Sequence, residues 1–145
     1  MSDSVSEGRP EYGVGDASYR AAGEREGIVA LVDSFYRIMD EWPEAEVIRR
    51  MHPSDLTESR DKLARFLSGW LNGPKLFSEK YGPIKIPAAH AHLRVGSAER
   101  NAWLGCMRRA IEEQPYAEDF ADYLLRELGV PAQRIVETSR EPLVG

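Results

Sequence analysis

His90-Ala-His-Leu-Arg-Val-Gly-Ser-Ala-Glu-Arg-Asn-Ala-Trp-Leu-Gly-Cys-Met107 places a histidine in a loop, thirteen residues before a tryptophan near the start of an apolar-striped helix. Upstream, Gly82-Pro83 and Pro87 keep the approach to His90 from running as one regular helix, because proline lacks a backbone N–H and restricts the residue before it. Downstream, Ser97 is the expected N-cap of a helix reaching about Glu113. Trp103, Leu104, Met107, Ala110 and Ile111 then point inward, and Glu99 lies near the positive end of the dipole.

Working outward, the rest of the chain is also helical in its periodicity. Residues 1–11 are polar with Gly and Pro, as in a mobile arm, and a short helix is expected from Ala17 to Ala22. From Glu24 to Glu41 the apolar positions Ile28, Leu31, Val32, Phe35 and Met39 recur at three- and four-residue intervals, with Tyr36 beside their face. Pro43 opens a short helix through Arg50. A further helix spans about Thr57 to Leu71, with Leu63, Phe66, Leu67 and Trp70 on one stripe and Asn72-Gly73-Pro74 as its stop. Lys75 to Tyr81 reads as one more turn. The last helix is expected from Ala117 to Leu128, ended by Gly129-Val130-Pro131, with a loose tail over 137–145 and one domain over 12–136. No alternating strand pattern or hairpin turn occurs, so the fold class is all-α with short connections.

Composition bounds what such a domain does. The 145 residues suit one domain and leave no room for a second catalytic one. A net charge of −5, with Lys and Arg interspersed among Asp and Glu, argues against nucleic-acid binding, which needs clustered cations. No apolar run approaches the ~20 residues of a membrane span. The first ten residues lack the apolar core of a secretory signal, and the single Cys106 cannot form an internal disulfide, so the expected location is the cytoplasm.

Phe35-Tyr36 on one helix, Met51-His52-Pro53 at a helix end, Phe66-Leu-Ser-Gly-Trp-Leu-Asn-Gly-Pro74, and the pattern of His90, five residues, Gly96, then Glu99-Arg100 and Ala102-Trp103-Leu104 occur in this order. Together they resemble the group II truncated haemoglobins, from about Tyr12 to Leu128. The resemblance implies a globin-like, truncated 2-on-2 helical sandwich around haem b (iron protoporphyrin IX). The helix of Tyr36 would pair with that of Leu63, and the helix of Trp103 with that of Phe120.

Site roles follow from the resemblance and from the chemistry of the side chains. Iron that keeps one open face needs a single strong nitrogen ligand, for which neutral imidazole is the usual donor, and His90 stands at the family's proximal position. His92 ranks well behind it. On the other face a donor aimed at the outer atoms of bound dioxygen stabilises it. Tyr36, His52 and Trp103 fall on the family's distal polar positions, each combining apolar bulk with a polar tip. Ser59 stands at the usual distal-ligand position, where it is too small to bind iron and leaves a gate. Leu63, Phe66, Leu67 and Met107 would wall the cofactor.

The chain also departs from the family. His92-Leu93 stand where many members carry Pro-Phe, and Pro87, Ala88 and Ala89 where arginines often precede the ligand. Pairing with the haem propionates therefore falls to Lys85, Arg94 or a residue that the sequence does not single out.

The implied ligands are dioxygen and other diatomic gases, with nitric oxide dioxygenation or peroxidase-like oxidation as the reactions, fed by a separate electron-donating reductase. Storage or sensing without turnover is the alternative, and the sequence leaves monomer and homodimer both open. Two readings from other classes compete. One is a haem-free helical interaction module with the aromatics as plain core. The other is a non-haem metal enzyme using His90, His92 and Glu99, which no His-Glu-x-x-His or paired Cys-x-x-Cys motif supports.

Overall fold

Gly23 has φ of 91°, a left-handed conformation open to glycine at little cost, and it turns a short first helix into a long second one. A Cβ on Gly27 would lie 2.0 Å from the Ala22 carbonyl oxygen, so this close crossing tolerates no side chain there. In the computed structural model, which describes residues 12–83 and 96–140, the helices are α1 (Ala17–Ala21), α2 (Glu24–Glu41), α3 (Glu46–Arg49), α4 (Thr57–Trp70), α5 (Leu76–Tyr81), α6 (Ser97–Glu112) and α7 (Glu118–Arg140). A 3-10 turn over Pro43–Ala45 leads into α3. There is no strand among the described residues, and no helix among them is long and apolar enough to cross a membrane.

The buried face of α2 is the one its spacing predicts: Ile28, Leu31, Val32, Phe35 and Met39 are at most 1% exposed. Burial of side chains this size stabilises by about 1.5–3 kcal/mol each, which is why tertiary packing rather than helix propensity holds α2. α2 packs on both α4 and α6, and α6 packs on α7, so two helix pairs meet through α2 and α6. This is the all-α arrangement expected from the sequence. α4 and α6, though both lie against α2, scarcely pack on each other.

Two local expectations need correcting. The N-cap of α6 is Gly96, with Ser97 already inside the helix, and the Glu99 carboxylate reaches back to accept the Gly96 N–H at 2.6 Å. The carboxylate thereby satisfies an amide at the positive end of the helix. The last helix does not stop at Gly129-Val130-Pro131 but runs on to Arg140 with Pro131 inside it. Phe120, Leu124, Leu128, Ala132 and Val136 are all buried and lie four residues apart, so the apolar stripe continues past the proline. A proline in a helix interior costs about 3 kcal/mol, and burial beyond it offsets that cost.

An ionic hub fixes α5 to α4. Asp61 accepts hydrogen bonds from Lys80 Nζ at 2.8 Å, the Tyr81 hydroxyl at 2.6 Å and Arg65 Nε at 2.9 Å. Lys80 and Tyr81, followed by Arg65, hold the Asp61 carboxyl well below the usual carboxylate range. Because the folded value is the depressed one, the hub contributes stability above the unfolded carboxyl pKa of ~3.9 and loses it as pH falls further. Asp61→Asn is expected to cost about 1 kcal/mol at neutral pH, the scale of a partly exposed network, and progressively less as the pH falls below 4. Urea unfolding at pH 7 and pH 3 measures the difference. An equal cost at both values would remove the ionic explanation.

Candidate functional site

Phe35 and Tyr36 are neighbours on α2 and therefore about 100° apart around its axis, so one meets α6 and the other meets α4. The Phe35 ring lies 5.2 Å from Trp103 on α6 at 61° and 4.9 Å from Tyr36 at 77°. The Tyr36 ring lies 5.8 Å from His52 at 76°. All three contacts have the edge-to-face geometry that the ring quadrupole favours. The result is a continuous aromatic floor from α6 across α2 to the turn before α4.

Three of these four rings carry a polar tip. Tyr36 is buried, and its hydroxyl donates to the Ser59 carbonyl at 3.4 Å, near the long limit for such a bond. Burial pushes the phenol well above the usual tyrosine range, an effect the Arg60 charge only partly opposes, so Tyr36 keeps its proton. Trp103 is half-buried, and among the described residues no acceptor lies on its indole N–H. His52 is half-buried with Nδ1 2.8 Å from the Ile48 carbonyl oxygen.

The turn carrying His52 is fastened by a residue that the sequence does not single out. Arg49 donates through Nη1 to the Pro53 carbonyl at 2.9 Å and through Nη2 to the Ser54 carbonyl at 3.0 Å, and its Nε pairs with Asp40 on α2. The planar guanidinium fork suits three partners at once. Asp55 then starts α4, accepting the Thr57 N–H at 2.9 Å and the Thr57 hydroxyl at 2.7 Å. Those two bonds hold its carboxyl below the usual range.

The walls are apolar and incompletely covered. On α4 only Leu67 and Ser68 are buried, while Leu63, Ala64, Phe66 and Trp70 are half-buried, as are Trp103 and Leu104 on α6. Leu67 and Met107 are fully enclosed by protein. A half-buried apolar helix stripe beside an aromatic floor fits a flat, largely apolar ring, so these residues suit a haem. Cys106 offers no competing chemistry: it is buried, and burial pushes its thiol up to about 11. Among the described residues no cluster of three His, Cys, Asp or Glu side chains is placed to hold a metal ion.

The structure thus brings Tyr36, His52 and Trp103 onto one floor and leaves Leu63 and Phe66 facing incomplete cover. His90, with Lys85, Arg94 and His92, lies outside the described residues. Sequence reading missed Arg49 and the bridging part played by Phe35. Only their neighbours in space reveal either role.

Comparison with known proteins points the same way. Residues 17–133 match the family model described as bacterial-like globin. The chain is 32% identical over 121 residues to the group 2 truncated hemoglobin YjbI of Bacillus subtilis (strain 168), a match spanning 83% of this chain and 89% of that protein. Among solved structures, the group II 2-on-2 hemoglobin of Agrobacterium tumefaciens superposes with a TM-score of 0.78 at 34% identity, covering 81% of this chain and 92% of that one. The cold-adapted truncated hemoglobin of Pseudoalteromonas haloplanktis TAC125 gives 0.79 at 28%, covering 82% and 96%. The truncated oxygen-avid haemoglobin of Bacillus subtilis gives 0.75 at 31%, covering 82% and 98%.

Proposed function

This chain belongs to the bacterial-like globin family, as a group II truncated haemoglobin, and from that premise we propose that it holds haem b through His90 and retains dioxygen beneath Tyr36, His52 and Trp103. Family membership carries a haem cofactor and the binding of diatomic gases such as dioxygen. Haem held by His90 would supply reversible gas binding and electron exchange. Everything else is the work of side chains. Leu63 and Phe66 exclude water from the ring, Lys85 or Arg94 meets its carboxylates, and Ser59 leaves the entrance clear.

The observation that carries the reading is the aromatic floor with two donors in reserve. Trp103 has an indole N–H without an acceptor among the described residues, and Tyr36 holds its proton against a weak 3.4 Å bond. Both can turn a hydrogen toward a partly negative gas ligand at little cost. Slow release follows from such donors, and the Bacillus subtilis relative is itself described as oxygen-avid. Tight retention favours chemistry on the ligand over delivery of it. Nitric oxide dioxygenation or peroxidase-like oxidation, with a separate reductase returning electrons, is therefore preferred to storage or sensing.

A bond to a charged acceptor is worth ~1.5–3 kcal/mol, and 1.4 kcal/mol is a factor of ten. Tyr36→Phe and Trp103→Phe are each expected to speed dioxygen release from the ferrous protein by about tenfold or more. Stopped-flow displacement by carbon monoxide measures this. Unchanged rates in both variants would reject the donor pocket while leaving haem binding intact.

A further inference from the structure

From Pro53 to Leu56 the chain between α3 and α4 is irregular, so its shape comes from bonds other than a helical ladder. Arg49 supplies three of them. Nη1 donates to the Pro53 carbonyl at 2.9 Å and Nη2 to the Ser54 carbonyl at 3.0 Å, while Nε pairs with Asp40 on α2. The guanidinium is planar and its donors keep fixed directions, so one side chain sets both the distance of the turn from α2 and its tilt. The Arg49 side chain is 22% exposed, whereas that of Arg50 beside it is 73% exposed and pairs with Glu46 of its own helix.

Asp40 lies four residues after Tyr36, one turn further along the same side of α2. The turn is thereby fastened beside the Tyr36 ring. On that tether the His52 ring stands edge-to-face against Tyr36 at 5.8 Å, with Nδ1 2.8 Å from the Ile48 carbonyl oxygen. The Tyr36 hydroxyl makes a long 3.4 Å bond to Ser59, too weak to fix its direction. Where the phenol points therefore depends on the rings packed against it, Phe35 at 4.9 Å and His52.

We propose that Arg49 is a positioning residue for the distal site: by tying the turn to Asp40 it seats His52 against Tyr36 and so aims the Tyr36 hydroxyl at the bound gas. This rests on the haem-site reading above and deepens it. Arg49 acts through the turn, and its charge is balanced by Asp40. What matters is the fork that spans three acceptors, which no single ammonium group reproduces.

The test reads the stretching band of carbon monoxide on the ferrous haem-loaded protein, which shifts with the donor nearest the ligand, together with the rate of dioxygen release. The parent is expected to show one dominant band. Arg49→Gln should split or broaden it and speed dioxygen release roughly three- to tenfold, the scale of one hydrogen bond lost from alignment. Asp40→Asn keeps an acceptor for Nε without the charge and should give the same changes on a smaller scale. Arg49→Lys keeps the charge but reaches one partner at a time, so it should resemble Arg49→Gln. Return of the parent band and rate in Arg49→Lys would show that charge acts instead of the fork, and overturns the proposal. Arg50→Gln removes a neighbouring cation outside the tie and should match the parent; a change there as large as in Arg49→Gln also overturns it, as does an unchanged band and rate in Arg49→Gln. Proton NMR then reads the contact between the His52 and Tyr36 rings with or without haem, present in the parent and weakened in Arg49→Gln. Protein that takes up no haem would sink the haem-site reading and with it the aiming of a ligand, whereas a ring contact that persists undiminished in Arg49→Gln would overturn the positioning role by itself.

Discussion

His90→Ala is expected to abolish stable haem retention while leaving the helical fold in place. A neutral imidazole is the strong axial donor on which the proposed site depends, and nothing else in the sequence stands in the same relation to Gly96 and Trp103. Losing even an outer-shell partner of a metal ligand typically costs 10–100-fold in affinity, so losing the ligand itself is expected to cost at least about 100-fold. The fold should survive because the core is built from Ile28, Leu31, Phe35, Leu67, Met107, Phe120 and Leu124, each at most 1% exposed. The readouts are the Soret band after haem addition, the rate of haem transfer to an excess of a competing apoprotein, and circular dichroism for the helices. Added imidazole should restore the Soret band in the variant, because it supplies the missing nitrogen without the tether. His92→Ala is the control for a histidine that merely stands nearby. Loss of haem in His92→Ala with retention in His90→Ala would transfer the ligand role to the second histidine.

How far the sequence discloses this molecule depends on whether a feature is local or tertiary. The stripe of α2 is local, and Ile28, Leu31, Val32, Phe35 and Met39 are buried as their spacing predicts. The end of α7 is not local. Gly129-Val130-Pro131 is a strong stop signal taken alone, yet Ala132 and Val136 are buried and carry the helix through it. The start of α6 shows the same competition on a smaller scale, since Ser97 is the better capping residue by type but Glu99 satisfies the amide of Gly96 instead. In the site, Tyr36, His52 and Trp103 are legible as a set because their order and spacing match a family pattern. What each can do was not legible. The seating of the His52 ring depends on the Ile48 carbonyl, the hold on its turn depends on Arg49, and the reserve of Tyr36 depends on a long bond to Ser59. Lys85, His90 and Arg94 lie outside the described residues, so the proximal side rests on the sequence and the family alone.

Phe35→Ala is the substitution expected to couple stability to ligand retention. Phe35 is 0% exposed and, among the described residues, is the one ring in contact with both Trp103 and Tyr36. Truncation removes a fully buried ring and leaves a cavity under the floor, for which Phe→Ala changes cost about 3–5 kcal/mol. That is a large part of the ~5–15 kcal/mol by which a domain is stable, so urea unfolding should show a sharply lowered midpoint. The same cavity removes the support that orients Trp103, so dioxygen release should also become faster even though the indole and phenol are both still present. Phe35→Leu separates the two consequences. It refills most of the volume, so its cost should fall below about 1.5 kcal/mol, but it lacks the flat edge-to-face contacts. If Phe35 orients the donors through its ring, Phe35→Leu will release dioxygen several-fold faster while remaining nearly as stable as the parent. If it serves only as core volume, release in Phe35→Leu will match the parent, and the aromatic floor will have to be read as packing beneath the site instead of as the element that aims it.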